Sequence, residues 1–91
     1  MEISDFLDYM RYERRRSQQT LQGYRLDLEA YVAYLDTLEG HVTVDTADTE
    51  GIRGWIETMM DRGNSASSIC RRLSAVRSMY RYALARGLVS H

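Results

Sequence analysis

Residues 65–86, SASSICRRLSAVRSMYRYALAR, constrain the fold more than any other stretch of the chain. Ile69, Leu73, Val76, Tyr80 and Ala83 recur at steps of three and four, which stacks them on one face of a helix of about 3.6 residues per turn. The same wheel sets Ser67, Arg71, Ser74 and Ser78 opposite, with Arg72, Arg77 and Arg81 flanking that line. From residue 62 onward there are six arginines and no carboxylate, although the formal net charge of the chain is −1. A solvated helix face ordinarily mixes both signs of charge. Small hydroxyls and arginines without an acid suit a surface pressed against phosphates.

The charge is sorted along the whole chain. Every basic residue is arginine, and all thirteen acids lie at or before Asp61. Residues 26–61 hold nine acids against Arg53 alone, whereas residues 11–25 hold Arg11, Arg14, Arg15, Arg16 and Arg25 against Glu13. Such asymmetry points to a polyanionic partner more than the total does. A plainer reading is that arginine usage follows genome composition and the clusters are incidental. The 91 residues make one small domain, and a single cysteine excludes an internal disulfide. No stretch approaches the roughly 20 apolar residues of a membrane span, and no signal-peptide core is present, so a cytoplasmic domain is expected.

The periodicity predicts an all-α, compact four-helix domain with helices over about 5–14, 18–38, 47–61 and 66–86. Ser4 is the expected cap of the first, whose stripe is Ile3, Phe6, Leu7 and Met10. Ser17 caps the second, where Leu21, Tyr24, Leu28, Tyr31, Leu35 and Leu38 form a heptad-like seam. Its far side carries Gln19, Gln22, Gly23, Leu26, Ala30 and Ala33, the alanines implying a sandwiched C-terminal half. Gly23 costs about 1 kcal/mol in a helix interior. Two explanations stand: close approach to a partner, or close packing on the first helix. Gly40 is expected to end the second helix, HVTVD to form a connector, and Asp45 or Thr46 to cap the third, with Ile52, Trp55, Ile56 and Met59 as its stripe. Gly63, Ser65 and Gly87 mark the remaining boundaries.

Catalytic chemistry is almost invisible. His41 and His91 have no partners at ligand spacing, so neither a metal nor another cofactor is expected. Cys70, beside Arg71 and Arg72, reads as a small residue flanking the core. The tyrosines have no assembled base, and there is no phosphate loop or triad. The chain by itself is not expected to be an enzyme or to take a small-molecule substrate. The basic faces carry the functional argument. The helix starts at Ser17 with Thr20, and at Ser65 with Ser67 and Ser68, offer hydroxyls and free N–H groups to an anion. Arginines can grip phosphates or guanine edges, and Gln19 and Gln22 suit adenine. The expected DNA-facing set is Ser17, Gln19, Thr20, Gln22 and Arg25 with Ser67, Ser68, Arg71, Arg72, Ser74 and Arg77. Arg14, Arg15 and Arg16 add backbone contacts.

Two patterns then resemble a known family. Ser17-x-x-Thr20-x-x-x-Tyr24-x-x-Asp27-Leu28 followed by Tyr34-Leu35 is similar to the second helix of the core-binding domain of tyrosine recombinases, the phage-integrase and Xer-type family. Ser65-x-x-Ser68-Ile69-x-Arg71-x-Leu73-Ser74-Ala75-Val76-Arg77-x-x-Tyr80-x-Tyr82, then Gly87-Leu88-Val89, is similar to its fourth. The resemblance covers nearly all of residues 1–91. It implies a SAM-like bundle that arches over one face of double-stranded DNA, with the second and fourth helices along the major groove. It also implies contacts to other recombinase protomers through the first helix. A separate C-terminal domain carries the strand-cutting chemistry, so the chain reads as a domain cut at its boundary. The acidic middle is expected to face away from DNA or towards another protomer. The competing readings are a helical protein–protein module, with Met59, Met60 and Trp55 as its apolar patch, or a small helix-turn-helix regulator.

Overall fold

Local hydrogen bonding sets where each helix begins. In the computed structural model, which describes residues 1–89, the helices are α1 (Ile3–Tyr12), α2 (Gln18–Leu35), α3 (Thr49–Asp61) and α4 (Ala66–Ala85), with no strand among the described residues. Ser90 and His91 lie outside the described residues, and with them the reading of His91 as a residue without ligand partners. Ser17 Oγ accepts the Thr20 N–H at 3.1 Å and Ser65 Oγ accepts the Ser68 N–H at 3.1 Å, so both expected serine caps form.

The other two helix starts differ from expectation. α1 begins before Ser4, because Asp5 reaches back to accept the Glu2 N–H at 3.3 Å while its own N–H donates to the Glu2 carbonyl. α3 is capped by Asp48, whose Oδ1 accepts the Gly51 N–H at 3.0 Å. Asp45 and Thr46 are used elsewhere. Asp45 pairs with the N-terminal ammonium, and Thr46 Oγ1 accepts the Thr43 N–H at 2.9 Å in a turn that buries Val44 and Ala47.

The helix ends separate by mechanism. Gly63 and Gly87 have φ of 82° and 68°, and each closes a double capping motif, with Asn64 and Leu88 N–H groups donating to the Met59 and Ala83 carbonyls. α2 stops at Leu35, short of Leu38, since Thr37 Oγ1 donates to the Tyr34 carbonyl at 2.6 Å and the chain tightens into a turn. Gly40 is left-handed within that turn and does not terminate the helix. α1 ends at Tyr12, and Arg15 takes the left-handed region at φ 52° so that the Arg16 N–H reaches the Met10 carbonyl.

The core sits between α2 and the other helices. Tyr31, Phe6, Leu28, Leu35 and Met79 are essentially sealed from solvent, each burial contributing about 1.5–3 kcal/mol. Tyr31 packs on Trp55, 5.1 Å between centroids, and donates to Tyr80 Oη at 2.8 Å, which donates on to the Val44 carbonyl at 2.8 Å. Burial pushes both phenols above the usual tyrosine range, and Tyr31 further through its bond to Tyr80. α4 is rotated from its expected phase. Ala75 and Met79 are buried, while Leu73 and Tyr80 are half-buried, because α4 packs chiefly on α2 and α1. Ala33 is exposed, so the C-terminal half of α2 is not sandwiched there. α3 meets α2 instead where the Tyr34 hydroxyl fits against Gly54. Cys70 is exposed and does not flank the core.

Candidate nucleic-acid interface

The seam between α2 and α4 opens to solvent at one end of the bundle. There Thr20, Tyr24 and Asp27 of α2 face Arg71, Ser74 and Ala75 of α4 across a shallow cleft. Asp27 is buried beneath it at 5% exposure. Its oxygens accept from Arg71 Nε at 3.2 Å and Arg71 Nη2 at 3.1 Å, a side-on bidentate pair. Arg72 Nε lies 3.9 Å from the same Oδ1, is itself buried, and has no hydrogen-bond partner. Thus α4, acid-free in sequence, receives one carboxylate from α2. Sequence reasoning missed this role for Asp27. The available signal was an acid one step off an apolar seam, in a chain whose packing helix offers two adjacent arginines.

The eleven expected site residues distribute over neighbouring surfaces. Ser17, Gln19, Thr20, Gln22, Arg25, Ser67, Arg71, Ser74 and Arg77 are exposed, and Ser68 is half-buried. Ser17 is occupied as a cap and also donates to Thr20 Oγ1 at 2.9 Å. Gln22 and Arg25 open onto a groove shared with Asp8, Arg11 and Arg16, which brings the end of α1 to the same side of α2. Arg77 instead rims a groove with Arg81, Ile52, Leu73 and Leu84, where Asp48 is the nearby acid. Arg72 is the exception. It is half-buried and lines a cleft with Tyr34, Trp55, Met59 and Arg62, so α4 presents Arg71 and not Arg72 beside Ser74. Arg14, Arg15 and Arg16 are all exposed.

Two further expectations meet the geometry here. Gly23 is exposed, and a methyl group added there would find nothing within 4 Å. Packing against α1 therefore does not explain it. The apolar patch that would anchor an interaction module is reduced to Met60, 62% exposed, because Trp55 and Met59 are buried in the core. No helix of the described residues is long and apolar enough to cross a membrane.

Comparison with known proteins gives the family. Residues 3–87 match the phage integrase N-terminal SAM-like domain. The chain is 39% identical over 90 residues to tyrosine recombinase XerC of Azotobacter vinelandii, covering 99% of this chain and 30% of the relative. It is 33% identical over 89 residues to tyrosine recombinase XerD of Listeria monocytogenes serotype 4b, covering 98% of this chain and 30% of that protein. Against tyrosine recombinase XerC of Pseudomonas fluorescens it is 34% identical over 90 residues, again 99% of this chain and 30% of the relative. The chain thus spans about 30% of the length of the curated relatives it matches. No solved structure matches it. With four helices in the expected order and a family match over nearly its whole length, the chain belongs to the phage integrase N-terminal SAM-like domain family, as found in Xer-type tyrosine recombinases.

Proposed function

We propose that this domain binds double-stranded DNA and positions a site-specific tyrosine recombinase on its recombination site, with α2 and α4 along the major groove. The carrying observation is the exposed face of α4. Ser67, Arg71 and Ser74 are exposed along it, with Arg77 and Arg81 at the neighbouring groove, without an acid of their own helix, and α2 offers Gln19, Gln22 and the bare backbone of Gly23. Phosphates bind such arginines bidentately, and amides read base edges. Strand cutting and rejoining belong to the remainder of the parent recombinase, outside these residues, and other protomers and a cytoplasmic setting follow from the same reading. Of the nine acids between residues 26 and 61, Asp27 alone is buried and alone lines the cleft of Arg71 and Ser74, while Asp48 borders the groove of Arg77 and Arg81.

Fluorescence-anisotropy titration of the chain with duplex DNA at several salt concentrations tests this. Binding should fall steeply with salt, and Arg71→Ala should lose about 1–3 kcal/mol of affinity with a shallower slope. A folded chain with no affinity at low salt, or with affinity indifferent to salt, would end the reading.

A further inference from the structure

Asp27 is the one buried acidic side chain among the described residues. A buried carboxylate is costly unless paired. Here the pairing partner is Arg71, whose own side chain remains 62% exposed. Joining α2 to α4 does not require this arrangement, because Leu28, Tyr31, Val76, Met79 and the Tyr31–Tyr80 hydrogen bond already do so in the sealed core.

The geometry of the pair indicates another purpose. Asp27 occupies the edge of the guanidinium formed by Nε and Nη2. The group is planar, so this fixes its tilt and leaves Nη1 and the outer N–H of Nη2 along a second edge. Arg71 is 62% exposed and lines the cleft with Thr20 and Ser74, so the edge not held by Asp27 is the one left to meet a ligand there. Two such N–H groups match two oxygens of one phosphate. Arg72, 3.9 Å from the same carboxylate, keeps the trio of one acid and two arginines net positive, so Asp27 orients Arg71 without cancelling its attraction.

We propose that Asp27 is a positioning residue for DNA binding: it holds one edge of the Arg71 guanidinium so that the other meets a backbone phosphate. This deepens, and rests on, the DNA-binding reading. It makes an expectation opposite to plain electrostatics. Removing a carboxylate beside DNA should tighten binding if charge alone matters. If orientation matters, Asp27→Asn should weaken binding even though the chain becomes more positive.

The test uses the 91-residue chain and a random-sequence duplex of about 30 base pairs, a length chosen to exceed the footprint of a single domain. Wild type, Asp27→Asn, Arg71→Ala and the double variant are titrated across salt, with helicity and thermal unfolding recorded for each. The expected result is affinity about tenfold lower for Asp27→Asn, and a double variant no weaker than Arg71→Ala alone. Unchanged or tighter binding by Asp27→Asn overturns the proposal, as does strict additivity in the double variant. If Asp27→Asn unfolds, Arg71→Lys decides. It keeps the charge and loses the planar fork, so an affinity equal to wild type overturns the proposal and a loss of about tenfold supports it. Absence of wild-type binding removes the DNA-binding reading itself and this inference with it, whereas wild-type binding insensitive to Asp27 removes the inference alone.

Discussion

At the C-terminal end of α4, Arg86 lies over the rings of Tyr9 and Tyr82, 5.3 and 5.2 Å from their centroids, and donates to Glu13 at 2.7 Å. At the N-terminal end, Arg71 stands on a buried carboxylate with its side chain 62% exposed. Both arginines bridge two helices, and both come from the same acid-free stretch of sequence. They differ in where the acid sits. Glu13 is itself an exposed side chain on the rim of the bundle, so the Arg86 contact closes on α1 and a similarly exposed acid stands beside the arginine at the surface. Asp27 comes from beneath, so the Arg71 contact pushes the charge outward. A run of arginines therefore does not mark a binding surface by its length. What counts is whether the partner of each arginine lies inside it or beside it.

This contrast can be broken most forcefully at the aromatic end. Phe6 is 1% exposed and meets Tyr24, Tyr82 and Tyr9 at centroid distances of 5.9, 5.6 and 6.4 Å, making it the hub of the contact between α1 and the rest. Phe6→Ala should cost about 3–5 kcal/mol, read as a lowered denaturant midpoint. DNA affinity of the molecules that remain folded should be unchanged. If affinity falls in step with stability, the two ends of α4 are one functional unit and the contrast fails.

Arg86→Ala sharpens the same point at a smaller scale. Two cation–π contacts of about 0.5–1 kcal/mol each and an exposed ion pair of at most about 1 kcal/mol give an expected loss of about 1–3 kcal/mol. The slope of DNA affinity against salt should match wild type. A shallower slope would put Arg86 among the phosphate contacts and dissolve the distinction drawn between it and Arg71.

How much of this was readable beforehand follows from the range of each interaction. The serine caps at Ser17 and Ser65 and the glycine ends at Gly63 and Gly87 are contacts within five residues, and the sequence shows them plainly. The cap of α3 was ambiguous because three nearby oxygens compete. Burial of Val44 and Ala47 draws Asp45 and Thr46 into the preceding turn and leaves Asp48 for the helix. The rotation of α4 that buries Met79 and lifts Leu73 depends on which neighbours it meets, and one strip of heptad pattern fits either phase. Leu73→Ala is accordingly a milder change than a core truncation. The candidate surface is legible in the sequence as a set of polar residues but not as an arrangement. Asp27 and Arg71 are 44 positions apart, and Arg72, next to Arg71 in sequence, is half-buried with its Nε 3.9 Å from the same carboxylate.

Gly23 offers the finest test of the polar end, because its two expected effects have opposite signs. It lies mid-helix and exposed, with no atom within 4 Å of where a methyl group would go, so the folded domain gains nothing visible from its being glycine. Alanine at such a position lowers the entropy of the unfolded chain and should stabilise by about 0.5–1 kcal/mol, measured as a higher unfolding midpoint. If the bare backbone between Gln19, Gln22 and Leu26 is where DNA comes closest, the added methyl must displace it, at about the 1–3 kcal/mol that overfilling a closed contact costs. Gly23→Ala should then be the more stable protein and the weaker binder. A more stable variant with undiminished affinity would show that the surface of α2 around Gly23 does not touch DNA, leaving the Arg71 end of α4 to carry the interface alone.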